Sequence, residues 1–408
     1  MPIEFLPRNH PIQSIGMSDA LIKAQRSVID REFATAGDFF DRVLQDLRIS
    51  GHVPADLRDQ NVRFFSDMQM NDLVEYWGTY LTGIGIERDV VHNLSRAAAE
   101  RSQLLRAFDD PTAMLEWTIS KVAEIVADLP SEASHIQVGR NPGDVLDPYI
   151  LAATQNLLCG GDNQRAIEAT VAHKALMVLE GLLGHLHEEV LGRMRGNVRA
   201  PEPRGELASR IDADTNPFPG ADVVTPPLAQ GDPIRFHQVK SKTGSMNSSG
   251  GHRLALQLVS LREAYPGSEL YSHSLVGTTL AGHRTMGVIH GVDPSIICTV
   301  GKTAFRILTG SDSGPELLLR VYQSAFKLGA ERAAYDIETA SARIVAAFEA
   351  EAAEAGEGFL ESILHRATDG PAAQQSSLTY VGARAARLAA RAALLVGDPP
   401  FVQPRRRR

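Results

Sequence analysis

The chain has 408 residues, 43% hydrophobic and 22% charged, with a formal net charge of −8. That composition excludes a disordered polar chain, and two cysteines (Cys159 and Cys298) exclude a disulfide framework or a zinc spacing. No apolar run approaches the roughly 20 residues of a membrane span, and the N-terminal Met1-Pro2-Ile3-Glu4 lacks the basic and apolar regions of a signal peptide, so a cytoplasmic protein with room for two or three domains is expected.

In chain order, residues 18–195 read as almost entirely helical. Apolar residues recur at three and four positions over 18–48, 70–82, 86–106, 110–128, 146–158 and 163–195. Pro, Gly and Asp/Asn clusters separate these segments at 50–55, 130–145 and 159–163. A linker at 196–203 leads to a helix start at 204–210, and a turn-rich stretch at 212–220 leads into strands. Two catalytic-looking strands bracket Asp222 and Gln238–Lys240. A Gly/Ser/Asn loop then opens a helix with Leu254, Leu258 and Leu261 on one face. Strand-like runs follow at 270–276 and 295–300, and then a short helix with Gly310 as its stop. Ser313 and Pro315 open a long helix to about residue 353, followed by shorter ones at 357–367 and 376–396. The expected organisation is a helical region at 1–195, an α/β part at 196–312 and a helical region at 313–408 with a basic tail.

The chemistry-bearing pattern lies in the middle part. Asp222 begins a short apolar strand, and Gln238 and Lys240 share one face of a later strand because strand side chains alternate. An acid, an oxygen donor and an ammonium on adjacent strands suit metal-assisted phosphodiester cleavage. Mg²⁺ takes hard oxygen ligands and often only one or two carboxylates beside waters and phosphate oxygens. A bound metal lowers the pKa of its water and neutralises charge developing on the phosphate.

At these residues the chain resembles the PD-(D/E)xK nuclease superfamily, and within it the type II restriction endonucleases. The Pro-Asp of that pattern is Ala221-Asp222 here, and the acid-x-Lys is Gln238-Val239-Lys240. Glutamine departs from the pattern: its carbonyl can still reach a metal, but one negative charge is lost. The resemblance covers roughly residues 196–312. It implies an α/β (α+β) core with a mixed sheet flanked by helices, here with large all-helical N-terminal and C-terminal additions. It also implies Mg²⁺ (or Mn²⁺) as cofactor, double-stranded DNA as substrate and a homodimer on a pseudo-palindromic site. Asp222 and Gln238 would hold the metal, and Lys240 would orient the attacking water. Glu206 would add a carboxylate from the preceding helix, with Glu188 and Glu189 as rivals for that role. One core strand has no clear counterpart, because only residues 211–218 separate the expected helix from Asp222.

Candidate DNA contacts cluster around these residues. Ser241, Lys242, Ser245, Asn247, His252 and Arg253 lie in or beside the loop that opens the next helix, where free amides favour phosphate. His283 and Arg284 follow the next strand and are candidates for base edges. Between residues 231 and 262 five basic residues (Arg235, Lys240, Lys242, Arg253, Arg262) face one acid, Asp232, a local +4 that the overall −8 conceals. Arg384, Arg387 and Arg391 share a helical face that is solvated or touches phosphate. His185 and His187 diverge on a helix and do not suit zinc. Gly301-Lys302-Thr303 lacks the earlier glycine of a P-loop, since Ile296 stands there, so no nucleotide cofactor is expected. Two other readings stay open: a branched-DNA resolvase or nicking defence nuclease on the same fold, and a DNA-binding protein that has lost catalysis.

Overall fold

The computed structural model describes residues 1–66, 68–138, 147–201, 211, 216–242, 248–281, 283–311, 313–334 and 337–368. Glu206, Ser245, Asn247, the 204–210 and 376–396 helices, Arg384, Arg387, Arg391 and the basic tail lie outside the described residues, as does the side chain of Lys242.

The N-terminal periodicity resolves into more helices than its pattern suggests. The 18–48 stretch is three helices: α1 (Ser18–Arg26), α2 (Ile29–Glu32) and α3 (Ala36–Leu47). A capping box divides them, with the Thr35 side chain accepting from Asp38 N and the Asp38 carboxylate accepting from Thr35 N. Then come α4 (Arg63–Ser66), α5 (Met70–Gly83) and α6 (Arg88–Ala107). Helix α7 (Pro111–Val138) continues through Pro130, where the expected break was placed, because an interior proline removes a single ladder bond and need not end the helix. Helix α8 (Pro148–Ala153), capped by Asp147 and opened by Pro148, runs into a π-helical turn at Thr154–Leu158, and α9 (Asn163–Leu191) follows.

The strands are β1 (Val198–Arg199), β2 (Val223–Thr225), β3 (Arg235–Lys242), β4 (Glu269–Val276) and β5 (Ile297–Val300), with α10 (Ser248–Ala264) between β3 and β4 and α11 (Arg284–Val292) between β4 and β5. They form one mixed sheet in the order β1-β2-β3-β4-β5. The pairs β1/β2 and β2/β3 are antiparallel, whereas β3/β4 and β4/β5 are parallel. The parallel pairs need crossovers, which α10 and α11 provide. The chain is therefore α+β, a mixed sheet with flanking helices. Strand β1 lies inside the stretch expected to be a linker. Two residues are too few for an alternating pattern, yet Val198 is buried in the main core.

After the sheet come α12 (Lys302–Thr309), α13 (Gly314–Arg332), α14 (Ile337–Ala355) and α15 (Phe359–Thr368). Gly310 closes α12 in the left-handed conformation, as its position predicts. The single long helix expected over 315–353 is instead two, with Ala334 at φ 47° at the break. No proline or glycine marks that break.

The chain divides into two compact units that are discontinuous in sequence, one holding residues 1–115 and 187–322, the other 116–186 and the described part of 323–368. The division crosses the sequence-derived boundaries at 195 and 312. In the first unit, Ile3, Ile12, Leu21 and Ile22 share a core with Val198, Val224, Phe236, Leu258 and Leu270. The N-terminal segment thus belongs to the sheet's own core. Gln25 fastens it, donating to Pro227 O (2.6 Å) and Glu4 O (3.0 Å) while accepting from Glu4 N (3.0 Å). A second core in this unit surrounds Trp77, which stacks on Phe40 at a centroid distance of 4.2 Å and donates to Ser102 Oγ (3.0 Å). The other unit is built on Leu151, Ile167, Phe348, Phe359 and Ile363. No helix among the described residues is long and apolar enough to cross a membrane.

Candidate active site

The turn that delivers Asp222 is fixed by aromatic packing. Phe218 is buried against Phe236 and Tyr265, and the Tyr265 hydroxyl donates to Pro217 O (3.0 Å). Gly220 then adopts φ 83°, and a Cβ there would lie 2.8 Å from the Cβ of Gln257 on α10, so the turn requires glycine on both counts. The backbone continues into β2 with Asp222 N donating to His237 O (2.8 Å). The Asp222 carboxylate lies over β3: its Oδ2 accepts from Val239 N (2.6 Å) and Gln238 Nε2 (3.2 Å).

Asp222 and Gln238 are both buried, at 5% and 2% relative exposure. Gln238 spends its amide nitrogen on Asp222 and on Val239 O (3.3 Å), while its Oε1 is buried without a hydrogen-bond partner. Lys240, two residues on and on the same face, is half-buried, and its ammonium has no ion-pair partner among the described residues. An orphaned hard oxygen beside a buried carboxylate fits a divalent cation: an acceptor without a donor is costly to bury unless something positive or hydrogen-bonding meets it. Among the described residues no group of three or more His, Cys, Asp or Glu could hold a metal, so the donor set here is a single carboxylate and an amide oxygen.

Glu188, the rival acid, approaches the neighbourhood of Asp222 by another route. Arg199 on β1 donates through Nη2 to Glu188 Oε2 (2.6 Å) and through Nη1 to the backbone oxygen of Asp222 (2.8 Å), with Glu189 Oε1 3.8 Å from its Nε. The closeness of β1 to the end of α9 depends on Gly192, where a Cβ would sit 2.6 Å from the Arg199 Cα. Glu188 is thus held in an ion pair that braces the β1–β2 hairpin.

The opposite face of the sheet carries a polar chain that the motif did not reveal. Asn197 Nδ2 donates to Leu191 O (3.1 Å) and Leu308 O (2.7 Å), which fixes the amide so that its Oδ1 must accept, and Thr225 Oγ1 donates to it (2.7 Å). Thr225 then accepts from His237 Nε2 (3.1 Å), His237 Nδ1 accepts from His273 Nε2 (2.9 Å), and His273 Nδ1 accepts from Thr299 Oγ1 (2.6 Å). Both imidazoles are neutral in this arrangement. Burial pushes His273 down to about 3, and burial together with the neighbouring His273 and Arg235 pushes His237 well below the ordinary range. On α9, His187 Nδ1 and the Tyr322 hydroxyl share a hydrogen bond (2.8 Å), and burial lowers the His187 pKa to about 4.

The candidate DNA-contact residues separate into two sets. Gly251 packs against Thr285, so the starts of α10 and α11 adjoin and bring His252 and Arg253 near His283 and Arg284. His252, Arg253 and Arg284 are exposed. His283 caps α11, its Nδ1 accepting from Met286 N (3.4 Å), so its ring is committed to the helix start. Ser241 is half-buried on β3, and the Lys242 backbone ends that strand. The +4 window is weaker than its sequence suggests, because Arg235 pairs with Glu269 (3.1 Å) and Arg262 with Asp293 (2.6 Å). The polar residues of β4 are a further feature that the motif left out. Ser272 Oγ is buried without a partner, and its signal is the run Ser272-His273-Ser274 between Leu270-Tyr271 and Leu275-Val276. No family model matches the chain, and no curated protein matches it in sequence.

Proposed function

We propose that the chain is a metal-dependent DNA endonuclease of the PD-(D/E)xK kind, hydrolysing phosphodiester bonds in double-stranded DNA. The observation that carries the reading is the Asp222–Gln238–Lys240 arrangement: a buried carboxylate, an orphaned amide oxygen and a half-buried ammonium on neighbouring strands of one sheet. The order of elements supports it, with a helix, an antiparallel three-strand meander, the α10 crossover and a strand parallel to β3. Asp222 and Gln238 Oε1 would hold Mg²⁺ or Mn²⁺. When bound, the cation supplies charge neutralisation at the phosphate and an acidified water. Lys240 donates hydrogen bonds that orient the attacking water and offset negative charge as the phosphorus is attacked in line and the P–O bond to the leaving oxygen breaks. Arg253 and Arg284, exposed beside two adjoining helix starts, suit phosphate contacts that track the duplex. Cleavage of both strands by one site per chain calls for a twofold dimer.

A second reading has its own support. Asp222 Oδ2 already accepts two hydrogen bonds, and the described donor set has a single carboxylate, as in a DNA-binding protein that has lost catalysis. Incubating purified protein with unmethylated phage or plasmid DNA in Mg²⁺ or Mn²⁺ separates the two. Discrete fragments that vanish in Asp222→Ala and Lys240→Ala support the nuclease. Salt-sensitive binding of intact DNA supports the inactive protein, and cutting retained by a folded Asp222→Ala protein sinks the assignment.

A further inference from the structure

The two unsatisfied oxygens of the sheet lie at one level. Gln238 on β3 and Ser272 on β4 are register partners, and partners in a parallel pair point to the same face about 5 Å apart. Both are almost wholly buried, at 2% and 1% exposure, and both keep a polar atom without a partner: Gln238 Oε1 and Ser272 Oγ. The next register pair, Lys240 and Ser274, continues the polar patch, with Ser274 Oγ donating to Val276 O (3.2 Å). Below it, Phe236 and Leu270 return the face to the apolar core. Apolar packing thus gives way to polar groups just where the strands reach Asp222 and Lys240.

A buried serine hydroxyl and a buried amide carbonyl, each unmatched and both on the same sheet face, are complementary to a group that can both donate and accept. Water held on a cation is such a group. A cation with a single carboxylate retains several waters, and those waters need acceptors and donors from the protein. We propose that Ser272 belongs to the candidate metal site as a positioning residue: Gln238 Oε1 meets the cation, and Ser272 Oγ hydrogen-bonds a water of its hydration shell. This extends the site from β3 onto β4 and compensates in part for the missing motif acid. It rests on the nuclease reading only in that both require a divalent cation at Asp222.

Mn²⁺ binding to the purified full-length chain, followed by electron paramagnetic resonance, tests it alongside the melting temperature in EDTA. Because Ser272 Oγ has no protein partner, Ser272→Ala leaves the metal-free melting temperature close to wild type yet weakens Mn²⁺ binding about tenfold, the usual loss when an outer hydrogen bond to a metal site is removed. Ser272→Cys, of similar volume with a poor hydrogen-bonding thiol, behaves the same way, and Ser272→Thr retains the affinity. Unchanged Mn²⁺ affinity in Ser272→Ala and Ser272→Cys, with binding still lost in Asp222→Asn, overturns the role of Ser272 and leaves the nuclease reading standing. A parallel fall of affinity and metal-free stability also overturns it, because it marks a structural role. No Mn²⁺ binding by the wild-type chain overturns both.

Discussion

Acidification from about pH 7.5 to about pH 5 should destabilise the sheet-bearing unit through its buried imidazoles. His237 and His273 are neutral links in a chain whose direction Asn197 fixes, so protonating either one removes an acceptor that has no substitute. In the unfolded chain both titrate near 6.5; in the folded one His273 titrates near 3 and His237 well below 6.5. Stability is therefore complete above pH 6.5 and is lost as the pH falls below it, since only the unfolded state takes up protons there. The His273 imidazole costs about 1.4 kcal/mol per pH unit in that window, hence about 2 kcal/mol by pH 5, and His237 adds a cost of the same sign. His187, at about 4, adds a third, similar contribution. Against a total stability of order 5–15 kcal/mol this is a large fraction. Urea unfolding read by fluorescence in a Trp117→Phe background, which leaves Trp77 in this unit as the reporter, measures it. Replacing both His237 and His273 by glutamine should markedly reduce the pH slope. A midpoint that does not move between pH 7.5 and pH 5 at constant m-value would refute the neutral relay, as would a slope unchanged in the double variant.

Two further outcomes follow from the site. Gln238→Glu restores a carboxylate but removes the Nε2 donor that Asp222 Oδ2 accepts at 3.2 Å, so it should tighten Mn²⁺ binding while lowering metal-free stability by about 1–3 kcal/mol; affinity equal to wild type in a calorimetric titration removes Gln238 from the ligand set. Gly192→Ala places a Cβ 2.6 Å from the Arg199 Cα and should cost about 1–3 kcal/mol by forcing β1 away from α9, read as a drop in melting temperature; an unchanged melting temperature contradicts the close approach.

The parts of this fold that were legible in sequence are those written in local periodicity. The alternation that pairs Gln238 with Lys240 is a property of one strand, and the Gly310 stop is a property of one helix end. What stayed hidden depends on distant partners. Strand β1 has two residues and no pattern of its own; Val198 becomes a strand residue only through Val224. Ile3 and Ile12 joined the sheet core through contacts more than 180 residues away in sequence, which no window captures. The 18–48 stretch divides at Thr35, where Thr35 and Asp38 spell out a capping box, a local signal lying beneath the longer apolar period. Ser272 illustrates the same limit. Its meaning lies in its register with Gln238, across a crossover whose length does not set the pairing.

The two faces of the sheet handle buried polarity in opposite ways, and the contrast argues for where a ligand belongs. On one face Asn197, Thr225, His237, His273 and Thr299 satisfy one another in a single direction, and nothing in that chain awaits a further partner. Fully satisfied networks rigidify a core and specify its packing. On the other face, at the neighbouring positions of the same strands, Gln238 Oε1 and Ser272 Oγ are left open, and Lys240 has no counter-charge among the described residues. Buried unsatisfied atoms are rare in folded proteins and costly, so a pair of them on register partners beside a carboxylate is a poor structural solution but a serviceable binding one. The satisfied relay holds β3 and β4 in register, and that register is what keeps Gln238 opposite Ser272.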